Sequence, residues 1–416
     1  MRKGIVAMSS SVLRGEFPPP RDARCPFDPP PGLHRLLREE PVSRIELWDG
    51  SMAWLIMGYA DGHAILSDDR FSADPRRSGF PEKSESYTGT IGQDRNIRVL
   101  DNPEHDVQKR MMVRDFTVKR VKEIRPRIEA LMDKIMDEVL ERGPVSDFVV
   151  DLAAPLPTML ICELLGVPYE HQGFFGHRTH AMLAAPPEEA ATAGREMNEF
   201  MEKLVDLKLK SPGNDLISRL VHEQMIPGHL SREDLVSTCR LMLLAGHGTT
   251  AAMIALSTLL LIRERRAAEQ LRENKDAEFL RNAVEEMLRY IGTLHSGRRR
   301  VAKEDVQLGN HVIKAGEGVL VMNNVMDRDQ SVFSNADDFD ITRPNAREHT
   351  AFGFGIHQCL GQLLARMELQ VVHSRLWKRI PSLRLAVPFE DLEFSTGVTR
   401  YELKALPVTW DDHRGG

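Results

Sequence analysis

The sequence predicts a mainly α fold with a minor β part, built as one large domain. Apolar residues recur at helical spacing in several long segments, most clearly between Ile124 and Arg142. A long apolar run from Leu241 to Ile262 is typical of a buried central helix. Segments with strand-like alternation are short and lie next to glycine turns. Together these observations favour a helical domain that carries small β-sheets.

Length, charge and cysteine usage exclude several classes of protein. The chain has 416 residues, of which 42% are hydrophobic, and this is enough for one large core. The formal net charge of −6 provides no basic field for nucleic acid or anionic lipid. Residues 1–14 have no sustained apolar core, so we expect neither a signal peptide nor a membrane anchor. Four scattered cysteines give no disulfide framework and favour a cytoplasmic location; they are Cys25, Cys162, Cys239 and Cys359.

The amino-terminal region predicts an arm followed by a hairpin. Residues 1–31 are rich in proline and arginine, and we expect a loosely ordered arm. The remainder, residues 32–416, is predicted to form a single domain. From Pro41 to Met57 apolar residues alternate on both sides of Asp49-Gly50, which predicts a β-hairpin.

Two amphipathic helices are predicted in the middle of the chain, from Ile124 to Arg142 and from Val149 to Leu165. The mixed segment from Gly173 to Pro187 precedes a further helix that runs through Lys210. We consider two interpretations of this segment, a mobile lid over a pocket and a plain connector.

The central helix has a clear start signal. Ser231 and Asp234 have the spacing of a capping box ahead of the long apolar run. The run is long enough to span a membrane, but five polar residues interrupt it: His247, Thr249, Thr250, Ser257 and Thr258. We therefore predict a buried helix of roughly 30 residues. Gly246 and Gly248 in its middle each cost about 1 kcal/mol relative to alanine, which indicates a local opening that another group fills.

The last part of the chain predicts short strands and one more helix. Apolar residues alternate from Val306 to Asn323 around Gly309 and Gly316, which predicts strands joined by turns. Residues Leu360 to Ile380 form a long amphipathic pattern and predict a helix. A turn between late strands is predicted from Glu393 to Arg400.

Four interpretations compete for Cys359, which lies in a glycine-rich stretch before that last helix. A buried structural cysteine does not explain the surrounding glycines. A zinc site needs about four ligands, and only His357 is near in sequence. A nucleophilic cysteine needs a base and an oxyanion site, for which the sequence has no signature. A thiolate ligand to haem iron is the fourth interpretation.

The stretch from Phe352 to Gly361 resembles the haem-binding signature of the cytochrome P450 superfamily. The matching residues are Phe352, Gly353, Gly355, His357, Cys359 and Gly361. The resemblance extends from about Leu36 to Trp410 and implies the cytochrome P450 fold. It also implies that Cys359 is the axial ligand to the iron of haem b (iron protoporphyrin IX), and that Phe352, Gly353 and Gly361 contact the haem.

The resemblance further implies basic partners for the two haem carboxylates. His105 and Lys109 lie on one helical face, in a segment where the family places a histidine and an arginine. Lys109 would provide a point charge instead of a bidentate fork. Arg300 matches a second carboxylate-binding position, and His357 is a further candidate.

A separate match concerns the scaffold behind the cysteine loop. Glu286 and Arg289 match the Glu-x-x-Arg pair that buttresses this loop in the family. In the family a third residue usually binds this Glu–Arg pair. Asp338 stands at its position here, and Arg343 is a candidate substitute.

The central helix matches the family's distal segment with one departure. Ala245, Gly246 and Thr249 are expected to line the distal side of the haem, with Thr249 donating a hydrogen bond to the oxygen substrate. Gly248 stands where the family has an acid that delivers protons, so Thr249, Gly248 and Cys359 are the candidate catalytic positions. Three proton routes remain open: ordered water in the space beside Gly248, a polar group on the substrate, or chemistry without this relay. We favour the first two.

The resemblance implies a monooxygenase or oxidase that acts on a small molecule, most similar to actinobacterial enzymes of secondary metabolism. We expect a monomer that receives electrons from a ferredoxin and its reductase, because the chain is short for a fused reductase. One alternative is a nitric oxide reductase that takes electrons directly from NAD(P)H. Five basic residues of an irregular loop could then bind the phosphates of that cofactor, or they could simply be solvated charges: Arg76, Arg77, Lys83, Arg95 and Arg98. The other alternative is a non-enzymatic haem–thiolate gas sensor.

Overall fold

The computed structural model describes residues 12–13, 17–22, 24–82, 95–168, 171, 173–175, 178, 181, 187–395 and 400–411. Helices dominate these residues. In chain order they are α1 (Pro31–Glu39), α2 (Tyr59–Ser67), α3 (Glu104–Met112), α4 (Val118–Arg142), α5 (Pro155–Leu165), α6 (Pro187–Lys210), α7 (Leu216–Leu220), α8 (Arg232–Arg263), α9 (Arg265–Glu273), α10 (Ala277–Ile291), α11 (Asn323–Met326) and α12 (Gln362–Arg379).

The strands are short, as expected for a minor β part. They are β1 (Val12–Leu13), β2 (Val42–Glu46), β3 (Met52–Ile56), β4 (Phe71–Ser72), β5 (Val145–Asp147), β6 (Arg298–Ala302), β7 (Val306–Leu308), β8 (His311–Ile313), β9 (Gly318–Val321), β10 (Arg384–Leu385), β11 (Phe394–Ser395), β12 (Glu402–Leu403) and β13 (Pro407–Thr409). The largest sheet within the described ranges has the order β1-β2-β3-β9-β6-β4, and β10-β13-β5, β11-β12 and β7-β8 form smaller ones.

The predicted amino-terminal hairpin is confirmed. Strands β2 and β3 pair antiparallel, with Val42 opposite Ile56 and Glu46 opposite Met52. Strand β3 also pairs in parallel with β9, which joins the hairpin to the late strands of the chain. The turns predicted between Val306 and Asn323 are likewise found, because β7 and β8 form an antiparallel pair around Gly309.

Part of the amino-terminal arm is anchored to the helical body. The guanidinium of Arg21 donates to the carbonyl oxygens of Ile291 (3.1 Å) and Gly292 (2.6 Å), at the end of α10. It also lies 4.2 Å from the centre of the Tyr401 ring. Residues around Arg21 are therefore tied down where a loosely ordered arm was expected. The division into an arm and one domain stays a prediction.

Helix α4 begins earlier than predicted, and the following helix is shorter. The side chain of Thr117 accepts a hydrogen bond from the Arg120 amide, which caps α4 at Val118 instead of Ile124. The stretch predicted as one helix from Val149 is divided into a π-helical turn, Val149–Ala153, and α5. Pro155 has no amide hydrogen to continue the earlier hydrogen-bond pattern, so a new helix starts there.

The central helix α8 confirms the predicted core helix. It spans 32 residues, and the Ser231 hydroxyl accepts a hydrogen bond from the Asp234 amide at 3.0 Å, as the capping box predicts. Over the described residues it is the one helix long and apolar enough to cross a membrane, and 78% of its most apolar window is buried inside the protein. Helix α8 packs against α5, α6, α10 and α12, and this contact pattern identifies it as the centre of the main core.

A buried ion cluster holds the segment that leads into the cysteine loop. Arg289 donates to both carboxylate oxygens of Glu286 (2.7 and 2.8 Å), and all of this pair is buried. Arg343 binds the same carboxylate from the other side at 3.1 and 3.2 Å, so the candidate third partner is confirmed. The remaining guanidinium hydrogens bind backbone carbonyls of residues 327–338. The cluster therefore fixes this irregular segment against α10.

Candidate functional site

The glycine-rich stretch forms a tight loop that ends just before α12. The Cys359 amide donates to the carbonyl oxygen of Phe352 at 2.9 Å, and the Gln358 amide donates to that of Gly355 at 3.0 Å. Helix α12 starts at Gln362, so Cys359 lies in the turn ahead of the helix and not in its first turn. These backbone bonds fix the position from which the cysteine side chain projects.

Two glycines of the loop have a backbone conformation that other residues rarely adopt. Gly353 has φ +75° and Gly355 has φ +71°. A Cβ atom on Gly355 would lie 2.1 Å from the carbonyl oxygen of Leu66, and one on Gly353 would lie 2.6 Å from Nε of Arg298. Side chains at these positions would therefore push the loop away from α2 and β6. Around Gly361, by contrast, no atom lies within 4 Å of an added Cβ.

Cys359 is exposed by surface area although many protein atoms surround it. Burial raises the pKa of its thiol. Arg298, Arg366 and Lys109 oppose that rise as cations, and the Gly361 amide opposes it by hydrogen bonding to the cysteine. A side chain that is accessible yet enclosed lines an internal space. Its cationic surroundings suit a thiolate that binds a metal ion.

Arg298 lies beside the cysteine loop. Its guanidinium packs against Gly353, and Nη2 lies 3.5 Å from the Ala351 carbonyl oxygen. Burial lowers its pKa, and its Nε has no hydrogen-bond partner. Sequence reasoning missed this residue because Arg298 is one of three consecutive arginines, and sequence alone does not show which face of β6 meets the loop.

A second cluster of buried donors gathers near the loop. His105 and Arg300 are 2% and 6% exposed, and the rings of His105 and His357 are 4.5 Å apart. His105 Nδ1 and Arg300 Nη2 are buried without a hydrogen-bond partner. Burial and neighbouring cations lower the pKa of His357 to about 2 and that of Arg300 to about 10. A buried donor without an acceptor raises the free energy of the folded protein, and an anionic ligand would supply the missing acceptors. This cluster is therefore suited to an anionic ligand.

Lys109 makes a different contact from the one its position implied. Its ammonium donates to the carbonyl oxygen of Ile356 in the cysteine loop at 2.5 Å. Burial lowers the pKa of Lys109, and the cysteine side chain opposes this. The lysine thus ties α3 to the cysteine loop.

The central helix presents two of the predicted residues on one accessible face. Ala245 is exposed although it lies in the middle of a mostly buried helix. The Thr249 hydroxyl donates to the Ala245 carbonyl oxygen at 2.7 Å, one turn earlier. Both residues therefore line accessible space on one side of α8.

The opening predicted at Gly246 and Gly248 is filled by other side chains, as expected, but the interpretation that ordered water fills it is wrong. A Cβ on Gly246 would lie 2.9 Å from Cδ1 of Ile161, on α5. A Cβ on Gly248 would lie 2.1 Å from Nη1 of Arg400. Arg400 comes from the late hairpin of β11 and β12, and its guanidinium takes the volume in which ordered water was expected. In the sequence, the glycine within the predicted central helix was the one indication that another group approaches at Gly248.

The loop arginines proposed for a nicotinamide cofactor are already paired. Arg76 binds Asp74 at 2.7 Å, Arg95 binds Glu104 at 2.6 Å, and Arg77 lies 3.7 Å from Asp101. Arg98 also has a partner, and Lys83 lies outside the described residues. Carboxylates thus compensate Arg76, Arg77 and Arg95, which argues against a phosphate site.

Comparison with known proteins tests the resemblance that the sequence carries from Phe352 to Gly361. Residues 188–379 match the family model described as cytochrome P450. The chain is 43% identical to cytochrome P450-SU2 of Streptomyces griseolus over 94% of this chain and 96% of that protein. It is 40% identical to pentalenic acid synthase of Streptomyces avermitilis, again over 94% and 96%.

The chain belongs to the cytochrome P450 family. Its fold agrees: the crystal structure of GfsF superposes with a TM-score of 0.89, at 39% identity over 95% of this chain and all of that one. The structure of a mycinamicin VIII C21 methyl hydroxylase from Micromonospora griseorubida superposes with a TM-score of 0.88, at 36% identity over 95% and 99%. The resemblance drawn from Phe352 to Gly361 and the predicted fold class are thereby confirmed, and this P450 is an oxidoreductase of the monooxygenase class.

The residues of this P450 fit a haem–thiolate cofactor. The cysteine is accessible and surrounded by cations, as a thiolate ligand requires. The partnerless nitrogens of His105, Arg298 and Arg300 match the need to neutralise two haem carboxylates. The open surroundings of Gly361 leave room for a large planar ligand.

Arg300→Leu is expected to weaken haem retention, because a buried charge-assisted contact to a carboxylate contributes more free energy than an exposed one. We expect about tenfold faster transfer of haem to apomyoglobin than in the wild type. Arg266→Leu, at an exposed arginine of α9, is the matched control and should leave the rate unchanged. Equal rates in the two variants would contradict the carboxylate-binding role of Arg300.

Proposed function

We propose that this P450 is a b-type haem–thiolate monooxygenase that oxidises a small secondary metabolite with O₂ and electrons from a separate ferredoxin. The observation that carries the proposal is the cysteine loop, in which an accessible Cys359 is held by backbone hydrogen bonds among three cationic side chains. Haem, when bound, supplies the iron centre at which O₂ is reduced and oxygen is transferred.

The chain's own residues divide the remaining tasks. Cys359 would ligate the iron, with the Gly361 amide hydrogen bonding to its sulfur. His105, Arg298 and Arg300 would hold the haem carboxylates through their buried nitrogens, and His357, whose ring lies 4.5 Å from that of His105, is a further candidate. Lys109 would support the cysteine loop through the Ile356 carbonyl. On the opposite side, Ala245 and Thr249 would line the space for O₂ and the substrate.

The class of substrate is proposed from the relatives. Their names include a pentalenic acid synthase and a mycinamicin VIII C21 methyl hydroxylase, which are proteins of Streptomyces and Micromonospora. Oxidation of an actinobacterial secondary metabolite is therefore the activity that we infer. The paired arginines disfavour direct reduction by NAD(P)H, and the hydroxylase names disfavour a gas sensor. The free cysteines of the described residues are consistent with a cytoplasmic location, and we propose a monomer.

The proposal of thiolate ligation predicts a defined optical signature. The ferrous carbon monoxide adduct should show the strongly red-shifted Soret band of a haem–thiolate protein, because the thiolate donates electron density to the iron. In Cys359→Ser this band should disappear, whereas Cys162→Ser, at a buried cysteine of α5, should keep it. A thiolate-type band that persists in Cys359→Ser would exclude Cys359 as the ligand.

An exposed face of α3 supports the proposed ferredoxin partner. Arg110 is exposed there and lies between Val107 and Val113, which are 46% and 44% exposed. Arg114, which follows this helix, is paired with Glu223 at 2.7 Å, so its charge is partly compensated. Helix α3 also carries Lys109, which contacts the cysteine loop. An acidic ferredoxin bound to this face would lie near the cysteine side of the haem.

Arg110→Glu should slow electron transfer from a bacterial ferredoxin and its reductase, because an opposed charge at the edge of an interface lowers the association rate. We expect a reduction of about tenfold at low ionic strength, which added salt diminishes. Stopped-flow spectroscopy of ferric haem reduction measures this rate, and Arg266→Glu is the control. Rapid reduction of the ferric nitric oxide complex by NADH alone would overturn the ferredoxin proposal.

A further inference from the structure

The hairpin of β11 and β12 lies against α8 beside the accessible face of that helix. A Cβ atom on Gly248 would collide with the guanidinium of Arg400, so the two residues are in direct contact. Gly248 directly precedes Thr249 and lies about 60° around the helix from Ala245. Strand β12, which begins just after Arg400, also packs against α8. The position of the hairpin therefore determines one side of the space in front of Ala245 and Thr249.

The hairpin is too short to hold this position unaided. Its strands pair only at Phe394 opposite Leu403 and at Ser395 opposite Glu402. Glu402 accepts from Nε of Arg400 at 2.6 Å and from Nη2 at 3.1 Å, so the arginine side chain moves with the hairpin. A small two-stranded hairpin is marginally stable at best in water. Contacts from other parts of the chain must therefore fix it.

Tyr401 provides the attachment, one residue after Arg400. Only 2% of Tyr401 is exposed, and its ring is parallel to that of Phe394, with 5.4 Å between the ring centres. The Tyr401 amide donates to the carbonyl oxygen of Thr293 at 2.9 Å. The hairpin is thus joined to the segment that directly follows α10.

Arg21 of the amino-terminal arm strengthens this junction. Its guanidinium carbon lies 4.2 Å from the centre of the Tyr401 ring. The same guanidinium donates to the carbonyl oxygens of Ile291 at 3.1 Å, Gly292 at 2.6 Å and Pro26 at 3.1 Å. A cation over an aromatic face and charge-assisted hydrogen bonds are both stabilising. One side chain therefore connects the arm, the end of α10 and the hairpin.

The protonation states of Arg21 and Tyr401 suit this contact. Burial lowers the pKa of Arg21 to about 10 and raises that of Tyr401 to about 12. At neutral pH the guanidinium keeps its charge and the phenol keeps its proton. The contact therefore joins a cation to a neutral ring, and a methionine at position 21 would provide neither the charge nor the donors.

We propose that Arg21 is a positioning residue for the distal side, which holds Tyr401 and the hairpin where Arg400 lies against Gly248. The inference rests on the proposed monooxygenase function, because it concerns the space in which O₂ and the substrate would bind. It assigns the amino-terminal arm a role in ligand binding, although the arm itself is remote from the cysteine loop in the sequence.

Spectral titration of the haem-loaded protein with two ligands tests this role. Imidazole and 4-phenylimidazole both bind haem iron through a ring nitrogen, but only the second carries an aryl group that reaches the surrounding walls. In Arg21→Met we expect the ratio of the 4-phenylimidazole to the imidazole dissociation constant to rise about 3- to 10-fold, as the loss of one aromatic contact predicts. Lower overall stability alone does not change this ratio, because both ligands are measured on the same folded protein.

Further variants assign the effect to the hairpin. Arg400→Ala should raise the ratio as well, and the double variant of Arg21→Met and Arg400→Ala should raise it no further, because both act through one contact. Arg21→Lys keeps the cation and should show a smaller rise, and it replaces Arg21→Met in the test if that variant fails to fold. The matched control is Phe27→Leu, at a buried arm residue whose ring lies 6.5 Å from that of Tyr290. It should lower the melting temperature and leave the ratio unchanged.

Hydrogen exchange gives a second measurement that does not depend on a ligand. The Tyr401 amide should exchange about tenfold faster in Arg21→Met than in the wild type, while amides in the middle of α8 keep their wild-type rates. A wild-type ligand ratio in Arg21→Met, or an equal change in Phe27→Leu, would show that the inference is wrong. If the wild type lacks the thiolate-type carbon monoxide band, the proposed function fails instead. A normal band with an unchanged ratio contradicts the positioning role alone.

Discussion

The structure depends on keeping a cysteine loop close to its neighbours while leaving the cysteine itself accessible. Gly355 lets the loop backbone approach the Leu66 carbonyl, at a distance where a Cβ atom would collide with it. The upstream segment is held by Glu286, whose buried carboxylate binds both Arg289 and Arg343. Removing one partner from such a buried cluster leaves an uncompensated charge, which typically costs about 3–5 kcal/mol. The position of Cys359 is therefore determined by backbone contacts and by an ion cluster that performs no chemistry.

On the distal side, the absence of a side chain at Gly248 determines which group can lie against the central helix. Gly248 removes an acidic side chain from the central helix, and Arg400 from the carboxyl-terminal hairpin takes its volume. Glu402 holds that arginine through two hydrogen bonds. At position 248 the central helix therefore has no side chain of its own and contacts an ion pair from the carboxyl-terminal hairpin.

Much of this could be predicted from the sequence, and the remainder has identifiable physical reasons. Helices with strong periodicity or a capping box, such as α8, were placed correctly because local signals determine them. The start of α4 and the break before α5 were misplaced, since the Thr117 cap and Pro155 act at single positions. Contacts between distant segments were the hardest to predict. Neither the approach of Arg400 to Gly248 nor that of Arg298 to Gly353 leaves a pattern within one segment.

The most direct test of the account is a crystal structure of the haem-loaded protein with an anomalous difference map at the iron absorption edge. Haem–thiolate ligation predicts one strong iron peak within bonding distance of the Cys359 sulfur. It also predicts haem carboxylates at the nitrogens of His105 and Arg300. An iron peak ligated by His357, or one remote from Cys359, would contradict it.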